Sequence, residues 1–208
     1  MSKNPSWVIL GAGNLIFDII DAIEANEEKV EAVVLNSRVD NTLKNKLNTL
    51  IISIDDFKPS KDKKYIFGFL NSNKEQYIKA LNKYNIDYAN LIHPTAYIAK
   101  STKLGSGNYI GAGVIIGPNV TIGDYNYFNR GSLIGHDVVL GNMNHVGPGA
   151  NICGRCEVAS KCNFGASSAI NDGLHIGSNC IIGSNSTVTK NLKRKGVYLG
   201  TPAKFFKS

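Results

Sequence analysis

The chain has 208 residues, of which 43% are hydrophobic and 19% charged, with a formal charge of +7. That balance excludes a mostly disordered chain and leaves room for one large domain or two modest ones. The 23 basic residues are scattered apart from Lys193-Arg194-Lys195, with no basic stripe interleaved with aromatics, so no nucleic-acid partner is expected.

The opening is polar, and the apolar stretch from Val8 is broken by Asn14, Asp18 and Asp21, so it does not read as a secretory signal. No apolar run is long enough to span a membrane. The chain reads as cytoplasmic, with no membrane partner.

Residues 1–90 alternate strand-like and helix-like segments. Trp7–Gly11 is a short apolar run leading into Gly11-Ala12-Gly13. Asn14–Ala25 has helical spacing, with Ile16, Ile19, Ile20 and Ile23 on one face. Glu31–Leu35, Thr49–Ile54 and Tyr65–Leu70 read as further strands. Ser72-Asn73-Lys74-Glu75 has the pattern of a capping box, opening a helix through Tyr77, Ile78 and Leu81. Such alternation predicts a small α/β, Rossmann-like domain with a parallel sheet.

From residue 91 the pattern changes, and residues 91–208 read as a second domain. Every sixth residue from Ile92 to Val188 is aliphatic or Phe, without a slip, at all 17 positions. With half of all residues apolar, chance would give this about once in 10⁵. Gly follows the apolar residue at 10 of the 17 positions, and 18 of the 21 glycines lie beyond residue 100. A six-residue period fits neither a helix nor an ordinary sheet; it is the signature of a β-solenoid, with one hexapeptide per flat wall. Three walls make a triangular coil of about 18 residues, stacked at about 4.8 Å, so residues 92–193 make between five and six coils. Open ends need covers; the N-terminal domain is expected at one, and Lys193–Ser208, which leaves the period, at the other.

Against this scaffold a few residues stand out. His136 and Asp137 follow Ile134-Gly135, which places them outside, near a corner. An imidazole suits proton transfer near neutral pH, and a carboxylate beside it orients it; the competing reading is a solvated surface histidine. His145 precedes the inward Val146 and also faces out. Nine residues separate it from His136, half a coil, so the two meet only across neighbouring subunits, as in a trimer. Gly154 lies one coil beyond His136 on the same wall, where it is either an oxyanion donor or a corner glycine. Lys190, Lys193-Arg194-Lys195 and Lys204 near the end of the solenoid either pair with phosphates or form a solvated tail.

Cys153-x-x-Cys156 resembles half a zinc site, but the register sends Cys156, Cys162 and Cys180 inward and Cys153 outward. Four such thiols do not converge on one tetrahedral ion, and the His spacing does not match a three-His solenoid metal site. No metal is expected.

The run Ile134-Gly135-His136-Asp137-Val138-Val139-Leu140-Gly141, then Asn144-His145-Val146-Gly147-Pro148-Gly149-Ala150, then Cys153-Gly154, resembles the sialic acid O-acetyltransferase / bacillosamine-type amino-sugar N-acetyltransferase family. The likeness extends from the Gly-Ala-Gly start, through Leu91-Ile92-His93-Pro94, to Gly196-Val197-Tyr198-Leu199-Gly200-Thr201-Pro202-Ala203-Lys204. It implies a left-handed parallel β-helix, a homotrimer, and acetyl-CoA as co-substrate in the groove between neighbouring solenoids. By position it makes His136 the general base, Asp137 its acidic neighbour and Gly154 the backbone oxyanion donor. His145 falls near the thioester, with Ala166, Ser184, Lys190 and Lys204 along the rest of the coenzyme.

The first loop departs from the family's Gly-x-Gly-Gly-His-Gly pattern, reading Gly11-Ala12-Gly13-Asn14-Leu15. Asn36 stands where acidic residues often follow the second strand, and Leu70-Asn71 replaces a Gly-Asn pair. Gly11, Gly13, Asn36 and Asn71 are therefore the expected acceptor contacts. The first expectation is an N-acetyltransferase on a nucleotide-linked amino sugar. The altered loop favours an O-acyltransferase on a free, sialic-acid-like sugar, or a different acyl group. A non-catalytic solenoid binding module is the reading from another class.

Overall fold

The computed structural model describes residues 6–13, 15–35, 47, 49–70, 74–84, 86 and 88–208. Asn36 and Asn71, and the Ser72 of the expected capping box, lie outside them. The chain divides into two compact units, Met1–Leu91 and Ile92–Ser208.

In the first unit, four parallel strands, β1 (Trp7–Leu10), β2 (Val30–Leu35), β3 (Leu50–Ser53) and β4 (Lys64–Phe67), lie in the order β3-β2-β1-β4. Helix α1 (Ile16–Ala25) buries Ile16, Ile19, Ala22 and Ile23. Helix α2 (Lys74–Leu81) buries Tyr77 and Leu81. Strand order reverses beside β1, so the carboxyl ends of β1 and β4 flank the switch point at which open α/β sheets bind ligands. Helix α1 starts two residues after the expected Asn14, because Gly13 O accepts from Ile16 N and makes the turn.

At the start of α2, Lys74 is only 4% exposed, with its ammonium 5.8 Å from the Phe67 ring centre. Burial pushes its pKa down to about 8 from 10.5. Between these two values the unfolded chain holds the proton more tightly than the folded one, so stability rises with pH across about 8 to 10.5. The full rise is on the order of 3 kcal/mol. Lys74→Met should raise stability at pH 7 and flatten the rise between pH 8 and pH 10, as read by urea denaturation at each pH.

The second unit is a prism with three walls. The first wall stacks Leu91–Ile92, Tyr109–Ile110, Tyr127–Phe128, His145–Val146, Asn163–Phe164 and Cys180–Ile182; the second runs from Tyr97–Ile98 to Thr187–Val188; the third from Lys103–Leu104 to His175–Ile176. Pairing follows an 18-residue step, as in Ile134↔Ile152 and Ile152↔Ile170. The residue at each sixth position is inside, and so is the residue four places on: Val114, Val120, Val138, Ala150, Cys156, Cys162 and Cys180 belong to one core with Ile116, Phe128, Ile152 and Phe164. Each large apolar side chain there stabilises by about 1.5–3 kcal/mol.

Two devices hold the corners. At one, Asn108, Asn126 and Asn144 are buried in a column, and each side-chain oxygen accepts the backbone N–H one coil on, at 2.8 Å, ending on Cys162. These oxygens satisfy amides that would otherwise be buried without a partner, a loss of about 1–3 kcal/mol each. The corners from Gly107 to Asn185 each have a residue at positive φ, such as Asn119 (59°), Asp137 (58°), Arg155 (57°) and Gly173 (70°) in the column after the second wall.

The cysteines are all free; Cys156, Cys162 and Cys180 are buried and Cys153 is half-buried. The Cys162 and Cys156 thiols donate to Gly177 O and Asn171 O at 3.1 Å. The C-terminal segment breaks the sixfold period, as expected, and packs Tyr198 and Ala203 against the core of the prism. Gly196–Leu199 does not leave the stack but pairs in parallel with Cys180–Ile182, adding a rung to the first wall. Only Lys204–Lys207 turns back, antiparallel, along its edge.

Candidate active site

The column after the second wall gathers His136, Gly154 and several charged side chains. Stepping by 18, it runs Pro118, His136, Gly154, Asp172, Lys190, and beside it Asn119, Asp137, Arg155, Gly173. The corner backbone is fixed by Asp137 N donating to Pro118 O at 3.0 Å and Arg155 N to His136 O at 2.9 Å. Asp137 takes the left-handed conformation more readily than most residues, which turns its carboxylate back onto the imidazole.

That carboxylate accepts from His136 Nδ1 at 2.7 Å, and its other oxygen accepts from Asn119 Nδ2 at 3.1 Å. The hydrogen bond from His136, then that from Asn119, holds the Asp137 carboxyl below its usual range. An ionised carboxylate only accepts, so Nδ1 carries the hydrogen and the neutral ring leaves Nε2 as its lone-pair nitrogen.

Nε2 rests against Gly154. A Cβ on Gly154 would lie 2.7 Å from Nε2, 2.8 Å from Cε1 and 3.1 Å from Asp172 Oδ2. Gly154 is not among the residues of positive φ. Gly154 stands in a corner turn without positive φ, and the atoms that crowd its missing side chain are those of the His136 imidazole and the Asp172 carboxylate. Asp172, in turn, has Oδ1 paired with the Arg155 guanidinium, while its Oδ2 faces the same point as Nε2.

Of the expected coenzyme residues, His145, Ala166 and Ser184 lie on another part of the prism. His145 is on the first wall, the outward member of a column of Tyr109, Tyr127, His145 and Asn163. The Tyr109 and Tyr127 rings stack at 4.4 Å, Tyr127 meets His145 edge-on at 5.7 Å, and His145 Nδ1 lies 3.1 Å from Asn163 Oδ1. Ala166 and Ser184 follow at the corner after that wall, where Asn185 N donates to Ala166 O at 2.9 Å. Within one chain, then, His136 and His145 belong to different walls and are not brought together. Lys190 stands on the His136 column, and Lys204 opens the last strand; both are exposed.

The glycine loop has a structural account. Gly11, at φ 78°, and Gly13 both press on Phe69: a Cβ at these positions would come within 2.2 and 2.9 Å of its side chain. Gly13 N also donates to Gly68 O at 3.0 Å. Sequence reasoning missed Asn119, Arg155 and Asp172. The signal that finds them is the step of 18 from Asp137 and His136. His175, left without a role from sequence, pairs with Glu157 at 3.0 Å across the third wall. Among the described residues no cluster of three or more His, Cys, Asp or Glu could hold a metal ion, and no helix is long and apolar enough to cross a membrane.

Residues 101–136 match the bacterial transferase hexapeptide family (six repeats). No curated protein matches the sequence. Among solved structures, PerB from Caulobacter crescentus, in complex with CoA and GDP-perosamine, is similar at 25% identity over 98% of both chains, with a TM-score of 0.85. The acetyltransferase domain of PglB from Neisseria gonorrhoeae, in complex with acetyl coenzyme A, is similar at 18% identity, over 98% of this chain and 100% of that one, TM-score 0.84. WeeI from Acinetobacter baumannii is similar at 21% identity, over 97% and 99%, TM-score 0.85. The chain thus carries the hexapeptide repeats of the bacterial transferases on the left-handed β-helix fold of the acyltransferases, preceded by a small parallel sheet.

Proposed function

We propose that this chain is an acetyl-CoA-dependent N-acetyltransferase acting on a nucleotide-linked amino sugar, as a cytoplasmic homotrimer. The observation that carries the reading is the seating of His136: Nδ1 lies 2.7 Å from the Asp137 carboxylate, and Nε2 and Cε1 fill the space where a side chain on Gly154 would stand. The similarity to PerB, whose structure holds CoA and GDP-perosamine, supports the donor and the acceptor class. His136 Nε2 takes a proton from the acceptor amine as its nitrogen attacks the thioester carbonyl. The Gly154 N–H holds the developing oxyanion. The carbon–sulfur bond then breaks, and the departing thiolate takes the proton back from the imidazolium. His145 of a neighbouring subunit faces the thioester, and Ala166, Ser184, Lys190 and Lys204 bind the length of the coenzyme.

One observation favours a second reading, transfer to a free sugar: Gly11 and Gly13 are used up in packing on Phe69, which weakens the case for a phosphate cradle. Thiol release from acetyl-CoA with a panel of amino-sugar nucleotides and free sugars decides between them. Turnover with the amino-sugar nucleotides is expected. A chain that turns over none of them and shows no CoA binding by calorimetry is not this enzyme but a binding module.

A further inference from the structure

On the reading above, the thioester carbonyl sits at Gly154, and the rest of the coenzyme must leave along the column in one of two directions. Charge selects the direction. Beyond Gly154 the column reaches Lys190, and the exposed Lys193, Arg194, Lys195 and Lys204 follow in the chain. Toward the start of the prism it passes Pro118 and ends at one exposed cation, Lys100, against the five at the other end. A tail bearing phosphates runs toward the cations, and its first step passes Asp172.

We infer that Asp172 positions the donor, its Oδ2 accepting a hydrogen bond from the first amide N–H of the pantetheine arm. Two methylenes separate that nitrogen from the thioester sulfur, a reach comparable to one rung of about 4.8 Å. Asp172 is one rung beyond Gly154, and its Oδ2 already faces the point where Gly154 meets the imidazole. Arg155 holds Oδ1, which fixes the carboxylate and leaves one oxygen for the ligand. A carboxylate suits an N–H donor and repels phosphate, so this rung selects the neutral arm of the coenzyme rather than its charged end. The acceptor approaches from the other side of His136 and does not meet Asp172.

Steady-state kinetics on the full chain tests this. Asp172 is exposed on a corner, so its variants are expected to keep the fold, which circular dichroism would check. D172A is expected to raise KM for acetyl-CoA about tenfold and leave KM for the acceptor within about twofold. D172N, which retains an accepting oxygen, should recover part of the loss. Truncated donors sharpen the result: wild type should favour S-acetyl-N-acetylcysteamine, which has the amide, over S-butyl thioacetate, which lacks it, and D172A should lose that preference. A rise in acceptor KM instead, or an unchanged preference between the two thioesters, overturns the inference. If wild type is active and H136A inert while D172A matches wild type, only the role of Asp172 falls. If wild type neither binds nor cleaves acetyl-CoA, the proposed function falls and this inference with it.

Discussion

Replacing His136 by alanine should lower kcat by about 10²-fold or more while leaving CoA binding nearly intact. The expectation rests on hydrogen-bond direction. Asp137 is ionised, so it accepts from Nδ1, and the ring's lone pair is committed to Nε2. Removing the imidazole removes the base and leaves the corner standing, because the backbone bonds from Asp137 N to Pro118 O and from Arg155 N to His136 O do not involve the side chain. Half of the His136 side chain is exposed, so little packing is lost. Thiol release gives kcat, and calorimetry with CoA gives affinity. Near-wild-type turnover would show that another group takes the proton.

Gly154→Val should abolish turnover to a similar or greater degree by another route. The valine Cβ would lie 2.7 Å from Nε2 and 2.8 Å from Cε1, closer than carbon and nitrogen approach without a bond. The imidazole must then swing away, and the 2.7 Å bond to Asp137 that sets its tautomer breaks. Backbone strain plays no part, since Gly154 lies outside the positive-φ set. The melting temperature should therefore change little while activity is lost. A variant that turns over normally would remove both the seat and the oxyanion donor from the mechanism.

Much of the second unit was legible because its period is rigid. Once Ile92 through Val188 are inside, every residue between them has a wall, a corner and a neighbour 18 positions away. His136, Asp137 and Gly154 could be picked out from that register. Asn119, Arg155 and Asp172 could not be picked out locally, since an Asn, an Arg and an Asp on a solenoid surface look like solvated residues until the stacking places them around one imidazole. The first unit was less legible. Its strands and helices were visible from periodicity, but the packing of Gly11 and Gly13 on Phe69 was not, because Phe69 is far along the chain. The last residues were legible only as a departure from the period: nothing in the spacing says that Gly196–Leu199 joins the first wall opposite Cys180–Ile182.

A stack of identical rungs has no intrinsic reason to stop. Its last rung offers a bare ladder of amides and carbonyls to any other strand, including one from another molecule. Reversing direction at Lys204–Lys207 ends the parallel series, and the lysines bracketing Phe205 and Phe206 bring like charge to any second copy approaching that rim. On the first wall, then, the outermost edge is an antiparallel strand flanked by cations rather than one more parallel rung.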